Sequence, residues 1–198
     1  MPLHNIAIFA SGTGSNATKI VAHFANHPTI NVALIISNKP TAKVLEMARN
    51  KNIPTLLIKR TAFYETENLL KELAHHQINF IALAGFLWLI PAYLVKAFPN
   101  KMVNIHPALL PKYGGKGMYG HHVHVAVRAN QEIASGPTIH YVNEQYDEGN
   151  IIFQAACAIK ENDTPEDIGK NVLALEHFYF PRIIEQLLID DEKINPPA

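Results

Sequence analysis

Cysteine is all but missing: Cys157 is the only one in 198 residues, so an internal disulfide is excluded and the chain suits a reducing compartment. Net charge is missing too. Seventeen Lys and Arg balance seventeen Asp and Glu, so no global field draws in a polyanion, which weighs against nucleic acid as the main partner. A single phosphate is not excluded, because it needs only a local nest of amides. Long apolar runs are absent as well. The longest, Phe80 to Pro91, falls short of the roughly 20 residues that a bilayer-spanning helix requires. The strand-like run from Leu3 follows no cationic leader, and there is no low-complexity tract, charge block or internal repeat. These absences give the expectation of a cytoplasmic protein without membrane or nucleic-acid partners.

What is present is a core. Apolar residues make up 48% and charged residues 17%, enough for one sizeable domain. Strand-like runs at His4–Ala10, Asn31–Ile36, Pro54–Ile58, Asn79–Ala84 and Lys101–Ile105 alternate with helical spacing at Ala17–Ala25, Thr41–Lys51, Phe63–His75 and Pro91–Phe98. Short apolar strands separated by amphipathic helices predict an α/β, Rossmann-like fold, with a mostly parallel sheet covered on both faces. Two further strands, Pro137–Val142 and Ile151–Ile159, are joined by the acidic turn Asn143–Asn150. A long closing helix starts near Thr164, where Thr164-Pro165-Glu166-Asp167 supplies a cap, a first-turn proline and acids at the positive end. It is expected to reach about Leu188 with a break at Pro181, ahead of a frayed tail.

Ligands of open α/β sheets sit beyond the carboxyl ends of the strands, and three such ends carry unusual residues. Ser11-Gly12-Thr13-Gly14-Ser15-Asn16-Ala17 has the Gly-x-Gly-x-x-Ala form of a phosphate-binding turn. A dinucleotide would also need an acid after the second strand, and Ser37-Asn38-Lys39 offers none. The turn therefore suits a monophosphate on Thr13, Gly14, Ser15 and Asn16, although taken alone it also fits a plain tight turn. At the fifth strand, alternation puts Asn104 and His106 on one face and Ile105 on the other. An amide donor beside an imidazole suits acyl transfer, the amide for an oxyanion and the imidazole for a proton. Both side chains equally fit a strand end that merely satisfies loop carbonyls. Asp147, in a turn closed by Gly149, is placed to fold back towards His106 and favour its protonated form, with His140 in support. The His121-His122-x-His124 cluster has no suitably spaced carboxylate or cysteine and is read as loop histidines, not a metal site.

Together these pieces resemble the glycinamide ribonucleotide formyltransferase family. The resemblance rests on Ser-Gly-x-Gly-Ser-Asn at 11–16, Leu-Ala-Gly-Phe at 83–86, Asn-Ile-His-Pro-Ala-Leu-Leu-Pro-Lys-Tyr at 104–113, Asp147 with its glycine turn, and Glu176-His177 before Pro181. It covers nearly the whole chain. It implies one formyltransferase domain over 1–190, with a phosphate-binding half at 1–105, a folate and catalytic half at 106–190, and a tail at 191–198. It also implies 10-formyltetrahydrofolate as cosubstrate, no metal, glycinamide ribonucleotide as acceptor in purine synthesis, and a monomer or homodimer. By motif match, Asn104, His106 and Asp147 fall on the catalytic trio. Thr13, Gly14, Ser15, Asn16 and Glu176 fall on the phosphate and glycinamide site, and Leu87, Trp88, Leu89, Ile90, Met102, Asn104 and Val142 on the folate pocket. The chain departs from the pattern at Leu87-Trp88, at Thr66, where many relatives carry Arg near this point, and in the glycine-rich loop Gly114–Gly120.

Three rivals stand beside this reading. A methionyl-tRNA formyltransferase is expected to add a basic carboxyl-terminal domain, and a formyltetrahydrofolate hydrolase an amino-terminal regulatory domain. An idle nucleotide-binding module has no need for Asn104, His106 and Asp147 to converge.

Overall fold

A computed structural model describes residues 4–194, with side chains through 191. Leu3 and the tail from Asn195, expected to fray, lie outside the described residues. Five strands, β1 (His4–Phe9), β2 (Ile30–Ser37), β3 (Thr55–Leu57), β4 (Phe80–Leu83) and β5 (Met102–His106), follow the predicted runs to within a few residues. β7 (Thr138–Tyr141) and β8 (Ile151–Gln154) complete a seven-stranded sheet in the order β3-β2-β1-β4-β5-β7-β8. The first five strands pair in parallel, and β7 and β8 join antiparallel. The chain leaves β1 towards β2 on one side and later returns to β4 on the other. The crevice of this switch point therefore opens beyond Phe9 and Leu83, where an α/β sheet takes its ligands.

Period-two alternation divides the core into two layers. Ile6 and Ile8 of β1 pack with Ile20 and Phe24 of α1 (Ser15–Phe24), Val44 of α2 (Lys43–Asn50), and Phe180 and Ile184 of α7 (Pro165–Ile194). Ala7 and Phe9 face the other way, onto Phe63 of α3 (Arg60–Glu65), Leu73 of α4 (Asn68–His75) and Leu94 of α5 (Ala92–Ala97). Each such large apolar side chain, once buried, contributes about 1.5–3 kcal/mol.

The structure departs from the predicted elements in four places. The single helix expected over Phe63–His75 is two, because Thr66 takes an extended conformation (φ −135°, ψ 159°) and turns its hydroxyl back to the Ala62 carbonyl at 2.8 Å. The strand expected over Ile151–Ile159 ends at Gln154. Its continuation, β9 (Cys157–Ala158), pairs with β6 (Ala134–Ser135) in a separate two-stranded sheet. The crossing is tight: a Cβ on Gly136 would lie 1.8 Å from the Ala155 carbonyl oxygen. The histidine cluster lies not in a loop but on α6 (His121–Ala129), which packs Val123 and Val127 against Ala108, Ile168 and Val172. Finally, α7 runs through Pro181 without a break, and the Arg182 guanidinium donates to the Phe178 carbonyl beside it. The start of α7 is as expected: the Asp167 amide donates to the Thr164 hydroxyl at 3.2 Å and the Thr164 amide to the Asp167 carboxylate at 3.0 Å, a capping box.

Candidate active site

β1, β4 and β5 all end at one cleft of about 840 Å³, lined among others by Gly12, Asn16, Leu87, Trp88, Asn104, His106, Asp147 and Glu176. Two loops at its floor are joined. The Ser11 amide donates to the Gly85 carbonyl at 3.0 Å, and the Ser11 hydroxyl accepts the Leu87 amide at 3.0 Å. Nothing in the local pattern around Ser11 marks this second role, since the hydroxyl's partner lies 76 positions away.

The three residues expected at the reacting centre do converge. Asp147 adopts a positive φ of 58°, a conformation that Asp tolerates better than most residues and that points its carboxylate back into the cleft. Its Oδ2 lies 3.4 Å from His106 Nδ1 and accepts the Gly115 amide at 2.9 Å, while Oδ1 accepts from Asn104 Nδ2 at 3.3 Å. His140 faces Asn104 directly across the β5–β7 pair. Its Nδ1 must donate to the Tyr141 carbonyl, 2.8 Å away, because a carbonyl only accepts. In the neutral ring Nε2 is then bare and takes the other Asn104 proton at 3.1 Å. His140 thus orients Asn104, and both amide protons of Asn104 are engaged. A buried network behind the centre holds the exit of β5: Thr138 accepts the Leu110 amide at 3.0 Å and donates to the Ala108 carbonyl at 2.6 Å.

The charge state of His106 differs from the expectation. Its Nε2 lies 2.8 Å from the Tyr113 carbonyl and so carries a proton. Burial pushes the imidazole below its ordinary pKa, outweighing the pull of Asp147 and the Tyr113 bond, so the resting ring is neutral with Nδ1 bare. Burial acts upward on the Asp147 carboxyl, but the protonated forms of His140 and His106, together with the Gly115 amide, hold it below its usual range.

At the other end of the cleft, Gly14 sits before α1 with φ +75°, and a Cβ there would lie 2.6 Å from Val44 Cγ2. Only glycine fits this turn. No side chain caps α1 and its first turn has no acid, which leaves amides at its start for an anion. Thr13 is exposed, Ser15 half-buried and Asn16 buried. Asn16 does not point its amide at the turn: its Nδ2 donates to Glu176 Oε2 at 2.6 Å. Glu176 is only 7% exposed, and burial raises its carboxyl to about 7 despite the Asn16 bond.

The residues expected to hold folate divide. Leu87 and Trp88 line the main cleft; Leu89, Ile90 and Val142 line a recess of about 50 Å³ beside it, together with Asn104, His140 and Asp147. Met102, at 1% exposure, lines neither: it shares a face with Asn104 but lies two residues further from the open end of β5, where it is packed into the core with Leu83 and Leu94. Arg60 lies over the rings of Tyr64 and Trp88, with its guanidinium carbon 5.2 and 5.5 Å from their centroids, and lines the cleft with Lys39. Among the described residues no group of three or more His, Cys, Asp or Glu side chains is arranged to hold a metal, and no helix is long and apolar enough to cross a membrane.

Comparison with known proteins agrees with this geometry. The family model described as formyl transferase matches residues 4–184. The chain is 42% identical over 186 residues to the chloroplastic phosphoribosylglycinamide formyltransferase of Arabidopsis thaliana, covering 90% of this chain and 63% of that protein. It is 38% identical over 191 residues to phosphoribosylglycinamide formyltransferase of Bacillus subtilis (strain 168), covering 94% of this chain and 95% of that one. The crystal structure of phosphoribosylglycinamide formyltransferase from Anaplasma phagocytophilum superposes with a TM-score of 0.86 at 30% identity, over 94% of this chain and 87% of that chain. With its sheet order, its cleft and these relatives in agreement, the chain belongs to the formyl transferase family, among the phosphoribosylglycinamide formyltransferases.

Proposed function

We propose that this protein transfers a formyl group from 10-formyltetrahydrofolate to the amine of glycinamide ribonucleotide, giving formylglycinamide ribonucleotide and tetrahydrofolate in purine synthesis. One observation carries the reading: Asn104, His106 and Asp147 meet within hydrogen-bonding reach at the floor of a cleft whose far end is a glycine turn at a helix start. The amine is itself the nucleophile, so no Ser or Cys needs activation. Thr13, Gly14 and Ser15 offer backbone amides to the substrate phosphate. Glu176, with Asn16 beside it, receives the polar glycinamide end.

The donor's ring system suits the side of the cleft bounded by Leu87, Trp88, Leu89, Ile90 and Val142. The recess there holds only about 50 Å³, less than a bicyclic ring, so the turn residues Asn143, Gln145 and Tyr146 that wall it give way on binding while Asp147 keeps its place. Arg60, stacked on Trp88, takes the place that many relatives give to an Arg near Thr66 and meets an acidic tail. The Thr66 hydroxyl is spent on its own helix.

Chemically, the amine nitrogen bonds to the formyl carbon, the bond from that carbon to the folate nitrogen breaks, and the amine's proton ends on that nitrogen. Bare Nδ1 of His106 takes the proton with Asp147 behind it, then returns it to the departing nitrogen. Asn104 supplies the donor for charge growing on the formyl oxygen. It must first release one partner, and the longer bond, 3.3 Å to Asp147, is the one to exchange. That exchange leaves the Asp147 carboxylate less satisfied just when His106 has to hold a proton, so the two events favour each other.

Incubation with 10-formyltetrahydrofolate, with and without glycinamide ribonucleotide, tests the assignment. Tetrahydrofolate release that requires the amine supports it. Formate released without the amine indicates a hydrolase, and inertness in both mixtures sinks the reading.

A further inference from the structure

The loop that follows β5 touches both partners of the proton-handling pair through its backbone. The Tyr113 carbonyl accepts His106 Nε2 at 2.8 Å, and two residues on the Gly115 amide donates to Asp147 Oδ2 at 2.9 Å. Gly114, between them, is pressed close: a Cβ there would lie 2.7 Å from Leu110 Cδ2 and 3.3 Å from Asp147 Cβ. Tyr113 itself has φ +58°, a region that bulky residues avoid unless something holds them there.

What holds it lies outside the cleft. The Tyr113 phenol donates to Glu132 Oε1 at 2.9 Å, and Lys112 Nζ donates to the same oxygen at 2.8 Å. Glu132 is fixed in turn at the end of α6, where its amide donates to the Val127 carbonyl at 3.3 Å. The hydrogen bonds from Lys112 and Tyr113 keep its carboxyl below the ordinary glutamate range, so it remains an acceptor across neutral pH.

We propose that Glu132 is a positioning residue for the reaction: by anchoring Tyr113 in its left-handed conformation it aims the Tyr113 carbonyl at His106 and so fixes the ring proton on Nε2, leaving Nδ1 free beside Asp147. If the phenol is released, the backbone at 113 relaxes towards an ordinary conformation. The peptide plane between 113 and 114 turns, and His106 loses the acceptor that selects its tautomer. The other tautomer puts the proton on Nδ1 against Asp147 and removes the bare nitrogen that the proposed transfer uses. The kinetic side of this inference rests on the formyl-transfer reading; the tautomer does not.

The test uses the full chain with Glu132→Ala, Glu132→Gln and Tyr113→Phe. Long-range proton–nitrogen NMR reads the tautomer of His106, and steady-state kinetics reads kcat and KM for both substrates. The wild type should show the Nε2–H tautomer. Glu132→Ala and Tyr113→Phe should each give mixed tautomers and a kcat lower by about 5- to 20-fold, a fraction of the roughly 10²–10⁴ that general acid–base catalysis contributes, with KM within about twofold. Glu132→Gln, which keeps an acceptor for the phenol, should restore most of kcat and the single tautomer. The inference is overturned if the two disrupting variants keep the wild-type tautomer, or if kcat falls in Glu132→Gln as far as in Glu132→Ala. A wild type that transfers no formyl group would refute the formyl-transfer reading, while the NMR result would still decide the anchoring role.

Discussion

Replacing Glu176 with Gln should stabilise the protein at alkaline pH and hardly at all at acidic pH. Glu176 is 7% exposed, and its carboxyl is raised from 4.5 to about 7 by burial, with the Asn16 hydrogen bond at 2.6 Å only partly offsetting it. A carboxyl whose pKa is higher folded than unfolded favours the fold below its unfolded pKa, and that advantage is lost as pH rises through the folded pKa. Here the loss spans about pH 4.5 to 7, and 2.5 units at about 1.4 kcal/mol each make it roughly 3 kcal/mol. Gln fills the same space, keeps an oxygen for Asn16 and has no charge to bury. Any fixed cost of its extra N–H groups is the same at every pH. The stability gap between variant and wild type should therefore widen by about 2.5 kcal/mol between about pH 5 and pH 8. For a domain of this size about 2–4 °C accompanies each kcal/mol, so the difference in unfolding midpoint should grow by about 5–10 °C. Thermal denaturation of both proteins across that range is the assay. A pH-independent offset would refute the reasoning, because it would mean that Glu176 ionises in the fold as easily as in the unfolded chain. The same substitution should raise KM for the amine substrate, since the carboxylate that receives it is gone.

Asp147→Asn and His106→Ala should each lower kcat by about 10²–10⁴ with little change in KM; near wild-type turnover in steady-state assays would remove either residue from the proposed proton path. Gly14→Ala places a Cβ 2.6 Å from Val44 Cγ2 at φ +75°, which should cost about 1–3 kcal/mol of stability in denaturant titration and raise KM for the phosphorylated substrate. If neither changes, the turn is not the anion site. Arg60→Ala should raise KM for folates with an acidic tail by several-fold and leave KM for a folate lacking that tail unaltered, as initial-rate measurements on the two cosubstrates would show.

The parallel half of the fold was legible because it is written in local patterns. Apolar runs of four to eight residues such as Asn31–Ile36, with helical spacing between them, report burial on both sheet faces directly. The misread elements are those that non-local forces decide. Thr66 breaks a helix whose apolar positions, Phe63 before it and Leu69, Leu70 and Leu73 after it, read as one segment, because a hydroxyl found a backbone partner four residues back. Pro181 fails to break α7 because Phe180 and Ile184 on either side are locked into the core. α6 is rich in valine and histidine, both modest helix formers. It holds because Val123 and Val127 meet Ile168 and Val172 from a helix some 45 positions later, a partnership no local window contains.

The site divides along the same line. Which residues meet was visible in strand alternation, which put Asn104 and His106 on one face, and in a turn able to bring Asp147 back. Their protonation was not. The sequence shows an acid near a histidine and suggests an imidazolium, since opposite charges attract. The structure adds a quantity that spacing does not carry: His106 is 3% exposed, and the cost of desolvating a cation there exceeds what one carboxylate at 3.4 Å returns. Proton placement is then settled by a carbonyl, Tyr113, rather than by a charge. The Asn16 side chain is likewise placed by a distant partner, donating to Glu176, 160 positions away. In both cases residue identity selects the chemistry that is available, while burial and the nearest fixed acceptor decide which protonation state and which partner are realised.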